Sequence, residues 1–243
     1  MISENQISNF IKNPKTQYKI IKLNINKNII DILNKFIIDD FSCFNHCDEN
    51  KLLNLDKLKL FIQNIGNNSS KSINLIVKFI NNLTNNVCKE FDKKYCWLTI
   101  RISKANNLFD IPRWHYDGSY YKNIDNIPQA KFILTLKGPS TLVINPTEKI
   151  IKKFMNIRKK VFEQNKKSDL QSDELKKKLL INKLLKNEKI KKIKTLHNGI
   201  ISISHITIHS EPPITEDRIF LSILPLSKEE YEFFIASNFF NNS

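Results

Sequence analysis

The sequence predicts an α+β chain, and the prediction rests on where its hydrophobic period changes. In the first third, apolar residues recur at spacings of three and four. From Tyr95 they alternate in short runs rich in β-branched and aromatic residues. A Lys-rich stretch, residues 147–193, returns to helical spacing between two groups of strands and reads as an insertion in a β domain.

QYKIIKLNI (Gln17 to Ile25) is an expected strand. Helices follow over NIIDILNKFII and LDKLKLFIQNI, then a longer one from Ser72 to about Phe91. In the last of these, Ile73, Ile76, Phe79, Ile80, Leu83, Val87 and Phe91 mark one buried face. Residues 1–93 therefore read as an α-rich support. YCWLTIRIS, AKFILTLKG and, after the KGPS turn, STLVIN are expected strands, and strands return at GIISISHITIH and DRIFLSILP. Residues 94–146 and 194–226 thus form the β core. The insertion breaks at NKKSD, where SDLQSDE offers Ser168 or Ser172 as a helix cap. Residues 227–243 close the chain as a helix, with Ser227 as cap and Glu230 three residues on, the pattern of a capping box. With 243 residues, 41% of them hydrophobic, one main domain can bury a substantial core.

The formal net charge is +15, and most of the excess lies between Glu148 and Lys194, where 17 Lys and Arg face 6 Asp and Glu. Such a segment offers a contact for a nucleic acid or another acidic partner through residues 147–194. The abundance of Asn, Ile and Lys beside only four Gly resembles the drift of an AT-rich genome, for which a solvated helix face is the plainer account. No apolar run reaches the roughly 18 residues of a membrane span, and MISENQISNFIKNPK has no apolar segment after a basic start. The expectation is an intracellular, cytoplasmic protein whose four cysteines stay reduced. Cys43, His46 and Cys47 in FSCFNHCDE look like half of a zinc site, but Cys88 and Cys96 supply no matching CxxC, so buried thiols beside a helix are expected instead.

The chemistry concentrates in IPRWHYDGSYY, Ile111 to Tyr121. On an extended segment residues i and i+2 point to one side, so His115 and Asp117 can meet one metal while Trp114 and Tyr116 face away. A lone HxD is a weak signal. The later run NGIISISHITIHSEPPITEDRIFLSILP adds His205, His209 and an arginine, Arg218, on an apolar strand where a cation needs an anionic partner. Arg218, Phe220 and Ser222 share one strand face. Two histidines and one carboxylate on one side of a metal leave adjacent positions open, the facial triad of non-haem Fe(II) oxygenases.

At these residues the sequence resembles the Fe(II)- and 2-oxoglutarate-dependent dioxygenase superfamily. WHYDG is similar to its proximal HxD motif, giving His115 and Asp117. HNGIISISHITIHSEPPITEDR is similar to its glycine, distal histidine and 2-oxoglutarate arginine, giving Gly199, His209 and Arg218. LTLKGPSTLVIN looks like the central strand pair of the prolyl-hydroxylase-like branch. The resemblance implies a double-stranded β-helix, a jelly roll of two facing sheets with Fe(II) between them. The metal ligands would be His115, Asp117 and His209. The distal carboxylate of 2-oxoglutarate would meet Arg218, with Ser222 as a second contact. The implied activity is hydroxylation, or oxidative demethylation, with 2-oxoglutarate and O2 as co-substrates and a protein side chain or small molecule as substrate.

Alternatives stay open at several positions. His205 competes with His209 because, four apart on one strand, they share parity. The nine-residue step from His209 to Arg218 and the HSEPP context favour His209. Arg218 could pair with Glu211, Glu216 or Asp217. Arg101 could point inward, Lys131 or Thr135 could bind a carboxylate, and Arg113 and Tyr121 flank the motif. Two rival functions remain: a catalytically silent binding module acting through the basic insertion, and a zinc hydrolase, against which stands the lack of an HExxH-like general base.

Overall fold

The computed structural model describes residues 6–12, 16–47, 53–105, 111–118, 120, 128–164, 170–204 and 206–237. Its strands form two antiparallel sheets. The larger one runs β1 (Tyr18–Lys22), β8 (Asn198–Ile203), β5 (Ala130–Lys137), β10 (Arg218–Leu226), β3 (Tyr95–Ser103) and β2 (Ser42–His46) from edge to edge. The smaller one runs β4 (Arg113–His115), β9 (His209–Glu211), β6 (Leu142–Val143) and β7 (Lys191–Lys192).

Alternation decides what each face of the large sheet does. Leu98, Ile100 and Ile102 of β3, Phe132, Leu134 and Leu136 of β5, and Ile219, Leu221 and Ile223 of β10 are buried on its outer face. They pack with helices α2 (Lys27–Lys35), α3 (Leu55–Gln63) and α4 (Ser70–Glu90). On α4 the buried stripe is Ile73, Ile76, Val77, Ile80, Leu83, Thr84 and Val87, as the spacing predicts, and Ser69 caps it by accepting from the Ser72 amide. Each fully buried Ile contributes roughly 1.5–3 kcal/mol relative to exposure. The short α1 (Gln6–Lys12) adds Ile7, Phe10 and Ile11 to the same core. The odd-numbered residues of β3 and of β5 as far as Thr135, and the even-numbered ones of β10, are left on the opposite face; past the bulge at Ile219 and Phe220, Lys137 turns to the helix side and donates to the Asn34 carbonyl at 2.7 Å.

The basic insertion is folded onto the molecule. Helices α5 (Glu148–Gln164) and α6 (Leu170–Leu185) place Phe154, Ile181 and Leu185 against Trp114 of β4, and the Tyr116 ring meets that of Phe154 at a tilt of 55°. Asn182 donates to the Pro112 carbonyl at 3.0 Å, tying α6 to the residue before β4. The segment's apolar side therefore backs the small sheet, while Lys149, Lys152 and Lys153 are exposed. The break near NKKSD, with Ser168, lies outside the described residues, and Ser172 falls inside α6. At the C-terminus α7 (Lys228–Ala236) has the expected capping box: the Glu230 amide donates to Ser227 Oγ at 3.2 Å and the Ser227 amide donates to Glu230 Oε2 at 2.6 Å. The same Oε2 meets Lys93 at 2.9 Å, which docks the helix beside β3.

Two expectations change. Residues 42–46 are an edge strand paired with β3, with the Phe44 ring 5.2 Å from that of Phe61 on α3, and Cys43 is exposed where a buried thiol was expected. Strand alternation points Cys43 outward and His46 inward, so no zinc half-site forms there. GIISISHITIH is also two strands. The chain leaves the large sheet after Ile203, turns with the Thr207 amide bonded to the Ile203 carbonyl at 3.0 Å, and joins the small sheet at His209. Strand parity between positions 205 and 209 therefore does not apply, and His205 lies outside the described residues. Among the described residues no helix is long and apolar enough to cross a membrane.

Candidate metal centre

A cavity of about 310 Å³ lies between the two sheets. The small sheet contributes His115 and Arg113 from β4 and His209 and Glu211 from β9; the two strands pair His115 directly opposite His209 and Arg113 opposite Glu211. The large sheet contributes Arg101, Lys131, Arg218 and Phe220 among others. Asp117 lies just past the end of β4 and turns its carboxylate to the same point.

One ligand atom from each of His115, Asp117 and His209 lies within 4.8 Å of the others. The imidazole centroids are 4.3 Å apart, and His209 Nε2 is 3.8 Å from Asp117 Oδ2. The two rings are held alike. His115 Nδ1 is 3.0 Å from the Arg113 carbonyl, and His209 Nδ1 is 3.0 Å from the Thr207 carbonyl. A carbonyl only accepts, so each Nδ1 carries the hydrogen and each Nε2 keeps its lone pair for a cation. Burial depresses both imidazoles below the usual histidine range, with their mutual repulsion adding to the effect at His115, so both rings are neutral near pH 7. Burial alone would raise the Asp117 carboxyl. The Lys131 ammonium and the neighbouring imidazoles outweigh it and hold the group well below the usual carboxylate range.

Lys131 Nζ lies 2.7 Å from Asp117 Oδ2, both side chains being buried. The ammonium approaches this buried Oδ2 from one side, and the other side of the oxygen faces the imidazoles. An anionic oxygen with an uncommitted lone pair, facing two imidazole nitrogens with theirs, fits a divalent metal accepting nitrogen and oxygen ligands. Tyr120 completes the surround: its hydroxyl is hydrogen-bonded to Asp117 and lies 3.3 Å from Lys131 Nζ, and burial followed by that carboxylate keeps the phenol protonated.

Arg218 is 2% exposed. Its Nε donates to the Pro139 carbonyl at 2.9 Å, Nη2 is 3.5 Å from Thr141 Oγ1, and the guanidinium lies 4.8 Å from the centroid of Phe220. Burial lowers its pKa to about 10, which leaves it charged at neutral pH. Among the described residues no carboxylate forms an ion pair with it. Asp217 is turned to Lys104 and the Ala105 amide, while Glu211 is held by Arg113 through Nε at 2.7 Å and also through Nη2. The buried cation is thus fixed by a carbonyl and a ring, with an edge left for an anion. Gly138, at φ +77°, makes the turn behind it, where a Cβ would come within 2.3 Å of the Asp217 carbonyl oxygen.

The other expected residues divide. Ser222 lines the cavity, but it stands four residues from Arg218 on β10, roughly 13 Å along the strand. Lys131 is engaged with Asp117, and Thr135 borders a separate small space. Arg113 is paired with Glu211, and Tyr121 lies outside the described residues. Gly199 sits where a Cβ would be 2.2 Å from the Phe132 ring, so close packing of β8 on β5 demands it. Lys131 as the partner of Asp117 and Tyr120 as its hydrogen-bond donor were not foreseen. The signal for Lys131 was the same as for Arg218, a cation inside an otherwise apolar strand, AKFILTLK.

No family model matches the chain, and no curated protein matches it in sequence. Among solved structures it is similar to a prolyl-4-hydroxylase of Pseudomonas putida, at 7% identity and TM-score 0.40 over 93% of this chain and 98% of that one. It is also similar to a prolyl hydroxylase of Trichoplax adhaerens in complex with a hypoxia inducible factor peptide fragment, at 11% identity and TM-score 0.40 over 93% and 92%. A third is HygX of Streptomyces hygroscopicus with nickel, 2-oxoglutarate and hygromycin B bound, at 10% identity and TM-score 0.39 over 92% and 87%. Likeness at this level decides nothing about the chemistry of the site.

Proposed function

We propose that this chain is an Fe(II)- and 2-oxoglutarate-dependent oxygenase that hydroxylates a substrate with a reactive C–H bond. What supports the reading is one cavity holding both a converging His115, Asp117 and His209 ligand set and a buried arginine, Arg218, with no carboxylate ion-paired to it among the described residues. A silent binding module has no need of two imidazoles with tautomers fixed toward one point.

Bound there, Fe(II) would supply the O2 chemistry that couples decarboxylation of 2-oxoglutarate to oxidation of the substrate. The chain's own residues do the rest. His115 and His209 present Nε2 because backbone carbonyls hold Nδ1, so the rings need no reorientation when metal enters. Asp117 supplies the anionic ligand and is kept ionised by Lys131. Arg218 receives the far carboxylate of 2-oxoglutarate on its free edge, with Pro139 and Phe220 fixing the plane of the guanidinium. Trp97, Phe220 and Leu224 line the cavity and limit water around the reacting centre.

The test is spectroscopic. Anaerobic addition of Fe(II) and 2-oxoglutarate should give a weak visible charge-transfer band that His115→Ala abolishes, and admission of O2 should release succinate. A folded protein that gives neither band nor succinate is not an oxygenase of this kind.

A further inference from the structure

We infer that the primary substrate is an anion whose carboxylate or phosphate is received by Arg101; the inference rests on the oxygenase reading for what else fills the cavity. The charged groups of the wall are unequal in number. Among the described residues of the wall, Arg101, Arg113, Lys131 and Arg218 are cations, and only Asp117 and Glu211 are carboxylates. Fe(II) and the 2-oxoglutarate dianion cancel each other, so loading the site does not remove the excess.

Pair by pair, the cation left with no anionic partner among the described residues or in 2-oxoglutarate is Arg101. Lys131 answers Asp117, Arg113 answers Glu211, and Arg218 would answer 2-oxoglutarate. Arg101 has no ion pair or hydrogen bond among the described residues. It is exposed and lines the cavity. It lies on β3, an interior strand of the large sheet, on the face with Trp97 and Thr99 that lines the cavity, while Leu98, Ile100 and Ile102 of the same strand do the packing behind. Its register partner is Phe220, the ring on which Arg218 rests. Arg218 is buried and Arg101 exposed, which separates an inner anion position from an outer one. Trp97, Phe220 and Leu224 give the outer position apolar walls. The chemistry this selects is an anionic head on an apolar or ring-bearing body.

The experiment uses the full chain loaded with Zn(II), which is redox-inert, and saturating 2-oxoglutarate, titrated calorimetrically with phenylphosphate, phenylacetate and neutral phenylacetamide. Either or both anions should bind at least roughly 10-fold tighter than the amide, about what one charge-assisted hydrogen bond supplies. A stronger phenylphosphate assigns phosphate, a stronger phenylacetate assigns carboxylate. Arg101→Gln should remove the preference and Arg101→Lys should retain most of it. An amide that binds as well as both anions, or a preference that survives in Arg101→Gln, overturns the proposal. Binding of 2-oxoglutarate to the Zn(II) protein is measured first: its failure removes the oxygenase reading, whereas an Arg101-dependent anion preference would still stand, so the two failures are told apart.

Discussion

The ammonium of Lys131 stands 2.7 Å from Oδ2 of Asp117, with the two side chains only 10% and 8% exposed. A buried pair of this kind adds little over an apolar core, but losing one member strands the other charge at a cost of about 3–5 kcal/mol. Asp117 is also the anionic member of the proposed ligand set, so Lys131 balances in the metal-free protein a charge that the metal would balance in the loaded one. Lys131→Met should therefore destabilise the metal-free protein by about that amount, and Zn(II) should restore part of it. The rise in melting temperature on adding Zn(II) should be larger in the variant than in the unsubstituted protein. Equal rises would show that lysine and metal do not compensate the same charge.

Acid should weaken the metal-free protein through the two ligand histidines. Burial, joined at His115 by repulsion from His209, lowers both imidazole pKa values in the folded state, while in the unfolded chain they titrate near 6.5. Between those values the unfolded chain takes up protons and the folded one does not. Stability is thus fully present above about pH 6.5 and falls as pH drops through it toward the folded values, at up to about 1.4 kcal/mol per pH unit for each proton. Asp117, also depressed, acts with the same sign in more acid solution. Denaturant melts from pH 7.5 to 5 should show this slope, and the double variant His115→Gln, His209→Gln should flatten it. An unchanged slope in the double variant would place the acid sensitivity elsewhere.

Gly199 is needed for packing. A Cβ there would lie 2.2 Å from Cε2 of Phe132, a side chain with no exposed surface in the main core. Gly199→Ala should cost about 1–3 kcal/mol by forcing the ring off its position. Adding Phe132→Leu to the same chain should recover part of that loss, a non-additive result readable from urea midpoints. Additive losses would mean that the strain is in the backbone of β8 and not against the ring.

The features that sequence could show were those written locally. His115 and Asp117 lie two residues apart and Arg218 nine after His209, so short motifs carry them. The stripe on α4 and the capping box of α7 are equally local. What stayed hidden depends on partners far along the chain. The edge strand β2 exists because β3 offers it a ladder, and β6 and β7, two residues each, are defined only by pairing with one another and with β9. The crossing from the large sheet to the small one between Ile203 and His209 is marked in IISISHITIH only by a one-residue phase change, the apolar positions passing from Ile201 and Ile203 to Ile206 and Ile208, with no Gly or Pro to punctuate it, so the run reads as one strand. Lys131 finds Asp117 only once β5 and the end of β4 are folded across the cavity from each other.

Arg218 is where charge and shape can be separated. Its Nε is committed to the Pro139 carbonyl at 2.9 Å, and the outer nitrogens form the edge that faces the cavity. A lysine keeps the charge but cannot hold that carbonyl and present two parallel donors at once. Arg218→Lys should therefore raise the Kd for 2-oxoglutarate on the Zn(II) protein by roughly 10-fold, and Arg218→Gln, which removes the charge as well, by on the order of 100-fold or more. Zn(II) affinity should remain in both, because Arg218 approaches none of the three ligands. Calorimetry of each component in turn reads both quantities. If Arg218→Gln binds 2-oxoglutarate as tightly as the unsubstituted protein, the far carboxylate goes to another cation of the wall, and the same titration on Arg101→Gln identifies it.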